Sequence, residues 1–345
     1  MNILLTMLSL CFFHFCAPVY RLLTLLYIYI IINRINSGLE VCKLSKLVSV
    51  VIPTYKREVS QISAAVESVL AQMYDNLEIV VVDDSPADYP HRSDIREYFE
   101  NLNDSRILYH QNEVNLGGCG ARNKGVEIAH GELIAFLDDD DEFFPDKIKK
   151  QTDFMVSENC DVTFSDLIMY NDAGKVVDYR SFSDIKSYDN DYLLKYHLMH
   201  HMTGTSTFMF RRDKFLEIGG FDESKVGQEF RLMLKAIEKG LSIRYYADCQ
   251  VKMHKHAGAA ISKGSTKIQG EKDLLKLKKK YFDRLSVRER IFIKFRFYAV
   301  LAVVCLRNKN YPMMLGYGIL AVLASPADSV AQLTAFLKKV REKRK

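Results

Sequence analysis

The sequence predicts an α/β protein: a mainly parallel sheet flanked by helices, followed by a helical, partly apolar C-terminal extension. Three observations lead there. Between Leu47 and Leu137, β-branched apolar runs alternate with stretches of helical spacing. Each of three such runs ends in a polar cluster. Beyond Cys160 the pattern loosens into longer loops and then into basic helices.

Leu47 to Ile52 reads as a buried strand stopped by Pro53, and Ile62, Ala65, Val66, Val69 and Leu70 then recur at helical spacing. Leu77 to Val82 is a second strand, running into Asp83, Asp84, Ser85 and Pro86. Ile95 to Leu102 reads as a helix, Arg106 to His110 as a third strand, and Gly120 to Ala129 as another helix. Glu132 to Leu137 completes a β-α-β-α-β-α-β order, which calls for right-handed crossovers and helices on both sheet faces. Ligands of such sheets bind beyond the carboxyl ends of the strands. Pro53 to Arg57, Asp83 to Ser85 and Asp138 to Asp141 all fall at those ends.

The second half should hold strands at Asp161 to Ser165, Thr205 to Phe210 and Leu241 to Tyr246, with a turn at Gly219 to Glu223 and a helix from Gln228 to Lys239. Phe297 to Leu306 and Tyr311 to Ala324 are apolar but short for crossing a bilayer, and suit in-plane contact or packing on the domain. Three regions follow: 1–45, an apolar N-terminal segment; 46–265, an α/β domain with halves 46–150 and 151–265; and 266–345, helical and basic.

In the first region Ile3 to Tyr20 carries no formally charged side chain, and Leu22 to Ile32 is apolar again after Arg21. It reads as a membrane anchor or as a start misassigned upstream of Leu39 to Lys46. Arg34, Lys43 and Lys46 would keep the downstream domain cytoplasmic. Lys338, Lys339, Arg341, Lys343, Arg344 and Lys345 make a basic tail suited to an anionic membrane surface or to a solvated helix end. The net charge of +5 is modest, and no nucleic-acid partner is expected. Seven scattered cysteines without a Cys-x-x-Cys pair argue against a disulfide framework or structural zinc.

Asp138, Asp139, Asp140 and Asp141 form the most informative cluster. Adjacent carboxylates at the end of a buried strand repel, and burial raises that cost by several kcal/mol each unless a cation compensates. Hard oxygens favour Mg²⁺ or Mn²⁺, whose open positions hold a diphosphate. An acidic loop capping the next helix is the plain alternative. A calcium loop is excluded, because Phe143 stands where its turn glycine should be. Gly118-x-Gly120 is followed by Asn123 where a dinucleotide fingerprint needs glycine or alanine, and it follows the third strand rather than the first. A glycine-rich loop opening a helix that faces, with Arg122, a negative ligand is the better reading.

These motifs together resemble glycosyltransferase family 2, enzymes with the GT-A fold. The resemblance runs from Val48 to Ser262 and rests on Val50 to Tyr55, Val81 to Ser85, Asn115 to Gly118, Ala121 to Gly125, Gly131 to Asp141 with Pro145, Gly219 to Asp222, and Gln228-Glu229. It implies a nucleotide-binding half at 46–150 and an acceptor half at 151–265. Pro53, Thr54, Tyr55, Asp83, Asp84, Gly118, Arg122, Asp138 and Asp139 would then bind the nucleotide sugar. Asp138, Asp140 and His256 would attend the metal, with the register of the four aspartates open by one residue. Glu229 would be the general base, standing where the family usually has Asp. His254 is a lesser candidate for the metal or diphosphate, and His200 and His201 for acceptor contact.

Processive members carry a Gln-x-x-Arg-Trp element, and this chain has no tryptophan. The resemblance therefore implies inverting transfer of a single sugar, from a UDP-sugar, to a glycan or lipid-linked acceptor at the cytoplasmic membrane face. A nucleotidyltransferase would share the sheet, but should carry a glycine-rich basic signature after the first strand. An inert sugar-binding scaffold should lack the carboxylates.

Overall fold

The structure is a computed structural model that describes residues 45–224, 226–255 and 264–342. The predicted N-terminal anchor, His256 and the last residues of the basic tail lie outside them. Four parallel strands open the domain: β1 (Val48–Thr54), β2 (Leu77–Asp83), β3 (Ile107–Gln111) and β4 (Leu133–Phe136). β1 lies between β2 and β4, in register Val48 opposite Leu77 and Val48 opposite Leu133. β2 adds β3 on its other side. The carboxyl ends Thr54, Asp83, Gln111 and Phe136 therefore line one edge.

The alternation of strand side chains sorts the core into two layers. Val48, Val50 and Ile52 face helices α1 (Val59–Leu70) and α2 (Arg92–Leu102) through Ile62, Val66, Val69, Ile95 and Phe99. Val51, Val80 and Val82 face α3 (Gly117–Ile128) through Ala121 and Val126 on the opposite side. α3 lies very close to β1, because a Cβ on Gly125 would stand 2.3 Å from Val51 Cγ1.

The second half adds mixed pairing. β5 (Glu142–Phe143), β6 (Val162–Asn171), β7 (Val176–Arg180), β8 (Met209–Arg211) and β9 (Ile243–Lys255) bring the sheet to nine strands in the order β3-β2-β1-β4-β8-β6-β9-β5, with β7 on β6. β8 runs antiparallel to both β4 and β6, so the chain direction changes there. Helices α4 (Lys147–Ser157), α5 (Asn190–His200), α6 (Arg212–Glu217) and α7 (Gln228–Glu238) complete the domain.

Three features differ from the sequence reading. Thr205–Thr207 is a one-turn 3₁₀ helix rather than strand, because Gly204 at φ 136° turns the chain and its carbonyl accepts from Thr207 N at 2.8 Å. β9 runs on past Tyr246 to Lys255, with register shifts against β6 around Asp166. α5 shows no amphipathic stripe, since Leu193, Leu194, Tyr196, His197 and Leu198 are buried around most of its girth.

The C-terminal region consists of α8 (Gly264–Lys279), α9 (Val287–Arg307), α10 (Tyr311–Ala324) and α11 (Pro326–Glu342). A capping box starts α9: Ser286 Oγ accepts from Glu289 N at 3.3 Å, and Ser286 N donates to Glu289 Oε2 at 2.7 Å. Arg288 ties α11 back onto α9 through two bonds to Asp328, at 2.7 and 2.5 Å. Among the described residues no single helix is long and apolar enough to cross a membrane. α10 and the start of α11 pass that test only together, and they are bent by 113°. Leu315, Ile319 and Leu323 on α10 stay exposed.

Candidate active site

The acidic turn sits beyond β4, on the edge where β1 and β2 also end. Leu137 N donates to Val51 O at 3.0 Å, carrying the ladder to the brink of the turn, and Asp141 N closes it onto Asp138 O at 3.0 Å. The four carboxylates then separate. Asp138 receives Arg122 NH2 in a short ion pair. Asp139 is buried beside Thr54 and takes Arg57 Nε and NH2 at 3.0 and 2.9 Å. Asp140 takes the same guanidinium at 3.0 Å.

Asp141 lies buried, accepting from Ser206 Oγ at 2.8 Å and His254 N at 3.1 Å. Burial, with Asp138 and Asp140 close by, holds its carboxyl well above the usual range. Asp139 is raised too, by burial that Arg57 only partly offsets.

Two arginines thus stand against four carboxylates, and the donor chemistry of the remainder is hard oxygen. That donor chemistry would suit Mg²⁺ or Mn²⁺, which Asp138 and Asp140 would hold. No three His, Cys, Asp or Glu side chains among the described residues already stand in ligand geometry. A cavity of about 280 Å³ opens between this turn and α1, lined by Arg57, Ser60, Gln61, Asp140, Glu142 and His254. His254 bonds Glu142 Oε1 through Nε2 at 2.8 Å, and Lys252 reaches the same oxygen at 2.8 Å.

At the neighbouring strand end Asp83 and Asp84 are both buried. Asp83 accepts from Ser85 N and the Tyr109 hydroxyl, each at 2.9 Å. Asp84 accepts from Asn112 Nδ2, Leu116 N and Gly117 N, each at 2.8 Å. Asp84 therefore satisfies the first amides of α3 from within, which changes the anion-site reading of that helix. A side chain takes the place expected for a ligand. Pro53 and the exposed ring of Tyr55 sit at the end of β1, and Gly118 is exposed at the start of α3.

Arg122 is buried, and both of its terminal nitrogens are engaged while Nε has no partner among the described residues. It donates to Gly118 O at 3.1 Å and Gln228 Oε1 at 3.3 Å, besides its pair with Asp138. Burial opposes its charge, and Asp138 more than restores it. Instead of reaching freely for a diphosphate, it links the acidic turn to the start of α7. Glu229 is half-buried in the first turn of α7, within electrostatic reach of Arg122.

Asn123 fixes the turn that precedes α7. Its side chain bonds Phe221 O at 2.8 Å and Phe221 N at 2.9 Å, pinning the Gly219-Gly220-Phe221 turn, whose glycines have φ of 75° and 58°. Arg57, Asn123 and Ser206 were missed as site residues. The motif quoted around Ala121 to Gly125 contained Asn123, and Arg57 closes the Pro53 to Arg57 loop placed at the strand ends, whereas nothing local marks Ser206.

The sequence model of glycosyl transferase family 2 matches residues 49–219. The chain belongs to this family; it is a glycosyltransferase with the GT-A fold. It is 28% identical over 254 residues to WcaA of Escherichia coli (strain K12), a protein named for glycosyl transfer in colanic acid biosynthesis, covering 72% of this chain and 88% of WcaA. It is 39% identical over 127 residues to the UDP-Glc:alpha-D-GlcNAc-diphosphoundecaprenol beta-1,3-glucosyltransferase WfaP of Escherichia coli, covering 37% of this chain and 48% of WfaP. The match to WfaP thus spans about half of that relative's length. Among solved structures, Staphylococcus aureus TarS 1–349 in complex with UDP-GlcNAc superposes with a TM-score of 0.54 at 18% identity, over 80% of this chain and 91% of that one. This likeness concerns the fold.

Proposed function

We propose that the protein transfers one sugar, with inversion, from a nucleotide-sugar donor to a hydroxyl of a lipid-linked acceptor in cell-surface polysaccharide synthesis. The observation that carries this reading is the placement of Glu229 beside Arg122, which holds Asp138 of the acidic turn. The nucleoside would lie over β1 and β2 against Tyr55, with Asp83 and Asp84 shaping the pocket floor. WfaP, by its name, uses a UDP-sugar and a diphosphoundecaprenol-linked acceptor, which supports the same substrate classes here.

Glu229 takes the proton from the acceptor hydroxyl as its oxygen bonds to the anomeric carbon. The bond from that carbon to the diphosphate oxygen breaks on the opposite face, so configuration inverts and a nucleoside diphosphate leaves. A divalent cation held by Asp138 and Asp140 would supply charge stabilisation on that leaving group. Arg57, already against Asp139 and Asp140, adds fixed positive charge at the mouth of the neighbouring cavity. The exposed apolar side chains of α10 favour peripheral contact with the cytoplasmic membrane face.

The test is thermal-shift binding and transfer across a panel of nucleotide sugars with Mn²⁺, Mg²⁺ or EDTA, comparing wild type with Asp140→Ala and Glu229→Gln. Metal-dependent stabilisation by one donor, lost in Asp140→Ala and kept in Glu229→Gln without turnover, is the expected result. No response to any nucleotide sugar from folded protein would end this reading.

A further inference from the structure

A second cavity lies away from the acidic turn. It has a volume of about 550 Å³, within the range of roughly 300–1,000 Å³ common for small-molecule sites. Arg180 on β7, Lys267 and Lys278 on α8, and Arg296 on α9 are its four cations, against the single carboxylate of Glu271. That carboxylate is already taken, since Lys267 pairs with Glu271 at 2.8 Å.

Lys278 is only 7% exposed. Its ammonium lies 2.5 Å from His201 Nε2 and over the Phe230 ring at 5.3 Å, with no carboxylate bonded to it among the described residues. Arg296 is half-buried and forms no hydrogen bond or ion pair with the described residues. Burial and the neighbouring cations oppose both charges, pulling Lys278 down to about 7 and Arg296 below its ordinary value. Asp178 pairs with Arg180 and Glu271 with Lys267, which leaves the buried Lys278 and Arg296 with only the more distant attraction of Glu271 between them; a further anion would complete that balance.

Two continuities indicate which anion. Phe230 packs behind two lining residues, 4.8 Å from the His201 ring and 5.3 Å from the Lys278 ammonium, and stacks on His197. The preceding residue is Glu229, so the cavity adjoins the start of α7. On the other side Ile293, Phe297 and Val300 of α9 give the cavity an apolar wall. Ten residues beyond Arg296, about 15 Å along the helix, the exposed Leu306 leads to the apolar face of α10.

We infer that this cavity binds the diphosphate of the acceptor's lipid carrier, with its hydrocarbon chain running along α9 toward α10 and its sugar directed toward Glu229. The inference rests on the transferase reading for the sugar, but the anion site has its own test.

The experiment is calorimetric titration of the full chain with farnesyl diphosphate and with inorganic pyrophosphate. Both are run in EDTA with saturating UDP, so that the donor site is either filled or inactive toward diphosphate. Arg296→Gln, Lys278→Met and the surface variant Arg180→Ala are compared with wild type, and circular dichroism confirms that each folds. A tenfold or greater loss of farnesyl diphosphate affinity in Arg296→Gln, and a smaller loss in Arg180→Ala, is expected. Unchanged affinity in both variants overturns the site.

Pyrophosphate binding as tight as farnesyl diphosphate overturns the lipid assignment and points to a soluble diphosphate. Absence of donor turnover alongside Arg296-dependent diphosphate binding would sink the transferase reading alone.

Discussion

Arg57 holds Asp139 through two parallel hydrogen bonds, at 3.0 and 2.9 Å, across 82 residues of sequence. This arrangement divides the labour within the acidic turn. A carboxylate gripped on both oxygens by a planar guanidinium is already compensated. Asp140 shares only one contact with that arginine, so it is the carboxylate the proposed metal would take.

Asp140→Ala should therefore lose the whole thermal stabilisation that Mn²⁺ gives, about 2.7 kcal/mol at a hundred times Kd. Asp139→Ala should keep a metal response while binding nucleotide sugar roughly tenfold more weakly, because Arg57 loses its anchor. Mn²⁺ titration by thermal shift separates the two. Equal loss in both variants would contradict the division.

Glu229→Gln should lower kcat by about 10²–10⁴ with the nucleotide-sugar Kd unchanged, since the amide keeps the shape but cannot accept the proton. Single-turnover transfer measures it. A fall confined to KM would make Glu229 a binding residue instead.

Lys147 is fully buried, its Nζ without a hydrogen-bond partner among the described residues and 4.0 Å from the Phe143 ring centroid. Burial pushes its ammonium down from 10.5 to about 7. Between those two values the folded chain binds fewer protons at this site than the unfolded chain, so its contribution to stability rises with pH through that window. Lys147→Met should stabilise the protein most at pH 6, on the order of 2–4 kcal/mol after the opposing attraction of the ring is subtracted. The gain should shrink toward pH 10. Urea unfolding at both pH values checks the sign, and a gain that grew with pH would contradict it.

Gly125→Ala should cost about 1–3 kcal/mol, because the added methyl meets a β1 side chain that cannot withdraw from a packed layer. Helix α3 would shift with Arg122 on it, so transfer should fall alongside the midpoint of urea unfolding. A neutral outcome in both would show that α3 can move away from the sheet.

The first half was legible because β1, β2 and β4 are buried on both faces and read as unbroken apolar runs, each closed by a polar cluster. The later half was legible only in part: the strands that begin at Val162 and Ile243 and the helix from Gln228 fell where the sequence put them, and other elements did not. α5 is buried nearly all round, so its sequence has no periodic stripe, and β9 carries Asp248, Cys249 and Gln250 through the middle of a thirteen-residue strand.

At the site, the acidic turn stood out by its chemistry, and Glu229 was singled out through the family resemblance alone. The use made of Arg122 and Asp84 did not stand out. Both proved to be internal fasteners, a role set by three-dimensional neighbours such as Gln228 and Gly117. Arg57 closes a loop that the sequence already placed at the strand ends, but its pairing with Asp139 is set only by the folded sheet edge.

Ser206 donates to Asp141 and accepts from Asp138 N at 3.3 Å, so a residue of the later half fastens both ends of the acidic turn. Recombination between relatives is constrained by that one hydroxyl. A crossover placed between the acidic turn and the Thr205–Thr207 turn would pair an aspartate loop with a serine it had not co-adapted to. Viable chimeras should inherit both turns from the same parent, and new acceptor preferences should arise more readily from exchanges downstream of β8.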